Sequence, residues 1–201
     1  IVTSDNGALT RFGEAHGHRS NGPLRGQKAS IYEGGHRVPF IARWLGTIDV
    51  GRESKEVVSL ADFMATACAA AGVELPADAA PDSHNLLPEM LGEKLTDPVR
   101  EATVCVSKFS AHLSIQQGPW KLIVAREPAG VGPLAKYQEG RFGPDAPELY
   151  HLATDPSEAN NLHDKRGDVV ERLLALLKKY EEQGSSRPGF KASAARRASV
   201  N

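Results

Sequence analysis

The first seven residues, Ile-Val-Thr-Ser-Asp-Asn-Gly, constrain the fold of this chain more than any other stretch. A β-branched run that stops at a carboxylate, an amide and a glycine predicts a buried strand. Such a strand would carry Asp5 and Asn6 to the carboxyl end of a sheet, where α/β proteins place their ligands. The Asn-Gly pair is also a common tight-turn signal and could begin a hairpin instead. These residues by themselves leave both interpretations open.

The composition limits the kinds of partner that this chain can have. Its 201 residues suffice for one ordinary domain or for part of a larger one. The 24 basic and 25 acidic side chains nearly balance, which argues against nucleic acid or a membrane surface as a partner of the whole chain. No apolar run is long enough to cross a bilayer. Cys68 and Cys105 lack the close spacing of a zinc site or a redox pair, so we expect buried free thiols.

The amino terminus indicates that the chain is a piece of a longer protein. It starts at Ile1, inside the predicted strand, without Met and without a signal segment. A buried parallel strand needs neighbours on both sides, which preceding βα units would supply. We therefore expect a missing amino-terminal portion.

Helical spacing predicts one helix in the first half of the chain. Apolar residues recur at helical spacing over 59–71, after a second apolar run over 38–44 that predicts another buried strand. Ser59, with an acidic residue three positions on, resembles a capping box, and Gly72 is placed to end the helix. We expect the helix to pack on a sheet with its Phe and Met residues in the core.

The second half of the chain predicts an antiparallel sheet and a long helix. Short alternating runs predict strands over 102–107, 111–115, 120–124 and 148–152. A Gly- and Pro-rich loop is predicted over 126–147. An amphipathic helix is predicted over 168–183, and its buried face would carry Val170, Leu173, Leu174 and Leu177.

A long loop over 8–29 carries three residues that could bind a metal. Glu14, His16 and His18 lie close together in the sequence. Zinc requires three or four ligands held in a fixed geometry, and a loop rich in Gly does not hold its side chains in one. We expect solvated loop histidines rather than a zinc site.

These elements place the chain in the α/β class, with a boundary between about 90 and 100. Residues 1–95 would form the end of an α/β layer, and residues 96–184 a small α+β domain with an antiparallel sheet and a terminal helix. Residues 185–201 are basic and small, and are expected to form a disordered tail.

Four motifs in a fixed order resemble a known enzyme family. They are Ser-Asp-Asn-Gly at 4–7, Leu-Arg-Gly-x-Lys at 24–28, Glu-Gly-Gly-x-Arg-Val-Pro at 33–39, and Glu-Leu-Tyr-x-Leu followed by Asp-Pro-Ser-Glu at 148–158. Together they resemble the carboxy-terminal portion of the formylglycine-dependent, arylsulfatase-like sulfatases, over about residues 1–182. The resemblance implies an alkaline-phosphatase-like α/β/α sandwich, of which only the C-terminal part is here, followed by the small domain.

The resemblance also implies a metal site. Asp5 and Asn6 match positions that ligate one calcium ion in the family, and their hard oxygen donors suit Ca²⁺, with Mg²⁺ a poorer match. Calcium requires about six to eight oxygens. The remaining ligands would come from the missing portion and from the substrate.

Lys28 matches the family's sulfate-binding lysine, which implies both a catalytic and a substrate-binding role. Arg25, Glu33 and Arg37 are interpreted as structural residues that pin the loop around Lys28 by bidentate pairing. The sequence assigns no role to His36. No Cys or Ser begins a Cys/Ser-x-Pro-x-Arg motif, so the formylglycine nucleophile is expected upstream of this chain.

The resulting hypothesis is a calcium-dependent sulfate-ester hydrolase whose carboxy-terminal portion, inactive alone, is this chain. Its substrate would be a small aryl or carbohydrate sulfate, and the family is usually periplasmic or secreted. Two alternatives stay open. One is a phosphonate or phosphate-ester hydrolase of the same superfamily, and the other is a non-catalytic remnant or binding module.

Overall fold

The computed structural model describes residues 1–10, 13, 16–107, 112–124 and 143–192. The chain divides into two compact units. The first comprises Ile1–Ala42 with Val104–Leu174, and the second comprises Arg43–Thr103 with Ala175–Asn201. The domain boundary near residue 95 stays a prediction.

The two amino-terminal strands are shorter and more exposed than the sequence predicts. Strand β1 (Val2–Thr3) pairs antiparallel with β2 (Phe40–Ile41) in a two-stranded sheet. Val2 is 66% exposed and Ile41 is 61% exposed. The prediction of two buried strands is therefore wrong within the described chain. In a sheet of two strands each strand has one neighbour, and nothing in the sheet covers its faces. The short helix α1 (Glu33–His36) lies between them in the sequence.

A four-stranded sheet forms the core of the first unit. Its strands are β3 (Thr103–Val106), β4 (Leu113–Gln117), β5 (Trp120–Val124) and β6 (Glu148–His151), in that spatial order. Strand β5 pairs antiparallel with both β4 and β6, which confirms the predicted meander. Most of the predicted 126–147 loop lies outside the described residues.

The sheet covers part of the loop that precedes α1. Ile31 and Tyr32 form one buried cluster with Ile123, Tyr150 and Leu152. Ile123 comes from β5 and Tyr150 from β6. Burial of these side chains removes apolar surface from water and thereby fixes this loop segment on the sheet.

The helix of the second unit begins as predicted but buries a different face. Ser59 accepts a hydrogen bond from the Ala61 amide at 3.2 Å, and the Asp62 carboxylate accepts one from the Ser59 amide at 2.7 Å, so the capping box is confirmed. A 3₁₀ turn (Leu60–Asp62) leads into α2 (Phe63–Ala70). Gly72 follows with φ +67°, as expected for a glycine that ends a helix.

The prediction that Phe63 and Met64 are core residues is wrong, since they are 56% and 46% exposed. Helix α2 instead buries its small residues Ala65 and Thr66. Thr66 accepts a hydrogen bond from the Leu86 amide at 3.0 Å, ahead of the short helix α3 (Leu87–Leu91). The close approach of this segment requires small side chains, which the apolar periodicity does not show.

The long helix α4 spans Gly167–Gln183 and has the predicted amphipathic pattern. Its buried residues are Val169, Val170, Leu173, Leu176, Leu177 and Tyr180. Leu174 is 42% exposed, contrary to the prediction, because it lies about 100° around the helix from Leu173. Within the described residues, no helix has the length and apolar character needed to cross a membrane.

The segment after α4 is more ordered than the predicted tail. The amide of Lys191 donates to the Ala77 carbonyl at 2.9 Å, and the Ser186 hydroxyl donates to Asp82 at 2.9 Å. The Arg187 side chain donates to the carbonyls of Ala77 and Ala79. Residues 193–201 lie outside the described part of the chain.

Candidate active site

Three backbone segments meet beside β1 and build one wall of a pocket. The Gly7 amide donates to the Gly35 carbonyl at 2.9 Å, and the Lys28 amide donates to the Ala8 carbonyl at 3.0 Å. The Gly34 amide donates to the Arg25 carbonyl at 2.7 Å. The three motifs at 4–7, 24–28 and 33–39 are thus joined by main-chain hydrogen bonds.

Glycine is required for steric reasons at the points where these three backbone segments touch. A Cβ atom on Gly7 would overlap the carbonyl of Gly34, and one on Gly35 would overlap the carbonyl of Ser30. A Cβ atom on Gly34 would lie 2.6 Å from the Arg25 carbonyl oxygen. The obstacles are backbone atoms, which cannot move aside like a side chain. These glycines therefore allow the three segments to approach one another.

Asn21 holds the same loops together through its side chain. Its Oδ1 atom accepts from the Ala8 amide at 3.0 Å, and its Nδ2 atom donates to the carbonyls of Ala8 and Gly26 at 3.3 and 3.1 Å. An asparagine amide can satisfy one donor and two acceptors in this way. The end of β1 and the loop that carries Lys28 are therefore fixed to each other.

Asp5, Asn6 and Lys28 line one pocket of about 420 Å³. Leu9, Ile31, Cys105 and Val106 contribute apolar surface to it, and Ala29, Ser30, Gly35 and His36 complete the lining. Residues that lie more than 20 positions apart in the sequence are thus brought together. The site roles that the sequence assigns to Asp5, Asn6 and Lys28 stay predictions.

Two oxygen-bearing side chains stand at the predicted metal position. Asn6 donates a side-chain hydrogen bond to the Asp5 carboxylate, so the two are in direct contact. No cluster of three His, Cys, Asp or Glu residues suited to a metal occurs in the described part of the chain. A carboxylate and an amide are hard donors that fit Ca²⁺ in kind, although they make up only part of a calcium shell. Glu14, which the sequence groups with His16 and His18, lies outside the described residues.

The backbone beside Lys28 adopts a conformation that non-glycine residues rarely take. Ala29 has φ +73°, in the left-handed region, which costs roughly 1–2 kcal/mol for an L-residue. The buried Ser107 hydroxyl donates to the Ala29 carbonyl at 2.9 Å. This contact comes from the residue that follows β3 and helps to hold the turn. Strain held in place by surrounding contacts is common at functional sites.

A buried group of charges lies behind the pocket wall. The Lys121 ammonium on β5 lies 2.8 Å from Glu33 Oε1, 2.8 Å from Glu158 Oε1 and 3.1 Å from His36 Nε2. The Glu33 amide donates to the Glu158 carboxylate at 2.7 Å. Lys121, Glu33 and Glu158 are all at most 3% exposed. Glu158 also has φ +52°, so this glutamate is held in a strained backbone conformation.

The charges in this group shift one another's pKa values. Burial raises the pKa of Glu33, but the combined effects of Lys121, His36 and Arg37 lower it by more, so the net direction is downward. Burial raises the pKa of Glu158 more than Lys121 lowers it. Burial lowers the pKa of His36 to about 4, and the positive charge of Lys121 acts in the same direction. The His36 ring is therefore neutral at physiological pH.

Arg25 and Arg37 make structural contacts, as predicted, but not the bidentate pairs that the sequence suggested. Arg37 lies 3.5 Å from Glu33, without the bidentate geometry that the sequence suggested. Arg25 stacks on the Tyr32 ring at 3.8 Å and donates to the Tyr150 hydroxyl and the Glu158 carbonyl, both at 3.0 Å. Arg25 thus fixes its loop to the sheet and to the turn at Glu158.

Sequence reasoning missed Lys121 and Glu158. One signal for Lys121 was available: a lysine inside the apolar run Trp-Lys-Leu-Ile-Val, at a position that shares a strand face with the buried Ile123. A buried lysine requires partners, and the acidic residues at 33 and 158 were candidates. Their identity depended on the tertiary structure.

Comparison with known proteins identifies the family. A model described as Sulfatase matches residues 1–73. An N-acetylgalactosamine-6-O-sulfatase of Bacteroides thetaiotaomicron is 36% identical over 185 residues, with 88% of this chain and 35% of that protein covered. The human N-acetylgalactosamine-6-sulfatase is 41% identical over 199 residues, with 90% and 37% covered. The chain spans little more than a third of the length of these relatives.

Solved structures agree with this assignment. One, described under the metabolism of multiple glycosaminoglycans by Bacteroides thetaiotaomicron, superposes with a TM-score of 0.74 at 34% identity, over 90% of this chain and 38% of that chain. Another, a complex with D-glucosamine-2-N,6-O-disulfate, shares the fold with a TM-score of 0.59 at 24% identity, over 76% and 30%. The fold is that of the alkaline-phosphatase-like sulfatases. We conclude that this chain belongs to the sulfatase family.

Proposed function

We propose that the protein to which this chain belongs hydrolyses sulfate esters of carbohydrates. The observation that carries the proposal is the meeting of Asp5, Asn6 and Lys28 in one pocket of about 420 Å³. Membership of the sulfatase family supports the reaction class, and relatives named as N-acetylgalactosamine-6-sulfatases support a sugar sulfate as substrate. A pocket of this size accepts a small ligand of that kind.

Asp5 and Asn6 would hold a Ca²⁺ ion at the end of β1, with Mg²⁺ as a poorer fit. Their oxygen atoms are the ligand type that hard divalent cations prefer. When bound, such a cation polarises an oxygen of the ester and offsets the charge that develops there. Ligands beyond these two would come from outside this chain.

Lys28 would bind an oxygen of the sulfate and stabilise negative charge on the departing oxygen. Its side chain is exposed to the pocket, and its main chain is fixed to Ala8. An ammonium group held in place before the reaction lowers the barrier without further reorganisation. The nucleophile would be a formylglycine outside these 201 residues, so we expect the chain alone to be inactive.

The test uses the full-length protein and a matched pair of substrates. We expect release of sulfate from N-acetylgalactosamine 6-sulfate at least tenfold faster than release of phosphate from N-acetylgalactosamine 6-phosphate. Chelation of divalent cations should abolish the faster reaction, and added Ca²⁺ should restore it. A phosphate ester cleaved faster than the sulfate ester would overturn the proposal in favour of a phosphatase. Absence of both reactions would favour a non-catalytic role.

A further inference from the structure

His36 is the one residue of the buried charge group that also lines the pocket. Its side chain is 27% exposed, whereas those of Lys121, Glu33 and Glu158 are 1%, 3% and 0% exposed. The ring is therefore in contact with the buried charges on one side and accessible from the pocket on the other. Its position in the fold gives it access to a bound molecule.

Lys121 fixes the orientation of the His36 ring. An ammonium group has three N–H donors, and Lys121 has three close partners: Glu33 Oε1, Glu158 Oε1 and His36 Nε2, at 2.8, 2.8 and 3.1 Å. His36 Nε2 also lies 3.1 Å from the Ile31 carbonyl oxygen. A single ring nitrogen cannot both accept from Lys121 and donate to Ile31, so Nε2 accepts from the ammonium and the proton of the neutral ring is on Nδ1.

The cost of burying these charges indicates that the group does more than stabilise the fold. Removing a lysine and two carboxylates from water is unfavourable, and apolar residues of similar size usually stabilise a core at least as well. Buried polar groups that are retained commonly specify one arrangement of their neighbours. The neighbour that this group arranges at the pocket is His36.

We propose that His36 contacts the bound ester and that Lys121 and Glu33 are positioning residues that orient its ring. The inference rests on the proposed sulfate-ester hydrolysis and assigns a further substrate contact to the same pocket. Because Nε2 is occupied by Lys121, the neutral ring offers its Nδ1–H donor, which can bind a polar acceptor group of the substrate without adding a charge that competes with Lys28 for the anion. The burial that lowers the pKa of His36 to about 4, aided by Lys121, keeps the ring in that form.

The test measures kcat and KM of the full-length enzyme on N-acetylgalactosamine 6-sulfate. We expect His36→Phe, which keeps a ring but loses both nitrogen atoms, to lower kcat/KM at least tenfold, mainly through KM. His36→Asn, which restores one polar position, should recover part of that loss. Lys178→Met serves as the control for lysine removal, because Lys178 is 76% exposed and pairs only loosely with Glu182 at 3.8 Å.

Lys121 is tested through its dependence on His36. Lys121→Met should lower kcat/KM in the parent enzyme but have less than a twofold effect in the His36→Phe background, since it acts through the ring. Where Lys121→Met alone fails to fold, the Lys121→Met/Glu158→Gln pair replaces it and removes one buried carboxylate with the lysine.

Each outcome decides a separate part of the inference. A kcat/KM of His36→Phe within twofold of the parent would overturn the substrate contact. Effects of Lys121 and His36 that simply multiply would overturn the positioning role. A full-length parent enzyme without sulfatase activity would overturn both the proposed function and this inference. That failure is distinguishable from failure of the inference alone, because it is seen in the parent enzyme before any variant is made.

Discussion

At the scale of single residues, Lys28 illustrates how an exposed side chain is placed by its backbone. The side chain is exposed. The Lys28 amide is bound to Ala8, and the next residue is held in a left-handed conformation by Ser107. The Lys28 side chain can therefore change conformation to contact a substrate, whereas its backbone is fixed in the pocket wall.

We predict that Lys28→Met in the full-length enzyme lowers kcat about 100-fold or more, because loss of one group that stabilises transition-state charge typically costs this much. Thermal unfolding should change little, since the side chain is exposed. Steady-state kinetics on the sugar sulfate check the expectation, with Lys178→Met as the control. A kcat within threefold of the parent would exclude a catalytic role for Lys28.

At the scale of elements, the pocket depends on the crossing of three loops rather than on strands or helices. β1 has two residues and α1 has four, so regular secondary structure contributes little to the geometry. The crossing is instead stabilised by main-chain hydrogen bonds between segments that only glycine allows to touch. Substitution of these glycines should therefore affect the whole site.

We predict that Gly7→Ala destabilises the protein by about 3 kcal/mol, the upper part of the usual range for overpacking. The added Cβ would overlap the Gly34 carbonyl, which is main chain. The matched control is Gly167→Ala at the start of α4, where no atom lies within 4 Å of the added carbon. Urea unfolding of both variants provides the measurement, and equal midpoints would show that the close approach is not required.

At the scale of the whole molecule, the buried charge group links stability to pH. The native His36 ring has a pKa of about 4, below the value of 6.5 for a free histidine. As pH falls between these values, the unfolded chain binds a proton that the native chain does not bind. The contribution of the neutral ring to the free energy of unfolding is therefore largest above about pH 6.5 and decreases as pH falls toward 4. Glu33, whose net pKa is lowered, adds a further loss at still lower pH, whereas Glu158, whose pKa is raised, acts in the opposite direction.

We therefore predict a free energy of unfolding that falls with acidification across this window, and a shallower fall in His36→Phe. Denaturant unfolding at several pH values measures both slopes. His16→Phe, at an exposed loop position, is the control and should keep the parent slope. Identical slopes in the parent and in His36→Phe would show that the ring is not buried as a neutral group.

The incomplete metal shell leads to a prediction about the chain as a separate molecule. Asp5 and Asn6 supply two side chains, against the six to eight oxygens that Ca²⁺ requires. We expect the 201-residue chain alone to bind Ca²⁺ with a Kd weaker than about 1 mM, and the full-length protein to bind more tightly. Calorimetric titration of both proteins, with Asp5→Ala as the control, tests this. Tight binding by the chain alone would mean that it completes the site itself.

The sequence by itself determined the family motifs, the antiparallel meander, the capping box at Ser59 and the amphipathic helix after residue 167. These features depend on local periodicity and on residues close together in the chain, which a sequence displays directly. It also singled out Asp5, Asn6 and Lys28, because the motifs that contain them resemble those of the sulfatase family.

Only the tertiary structure decided which residues surround them. Two partners of Glu33, Lys121 and Glu158, lie 88 and 125 positions away, and no local pattern encodes such a pairing. The exposure of Phe63 and Met64 also could not be predicted from the sequence. An apolar helix face predicts burial but does not indicate whether a neighbouring element covers it. Hydrophobic periodicity specifies elements, whereas the choice among possible neighbours depends on packing and on satisfying buried charges, both of which are properties of the folded chain as a whole.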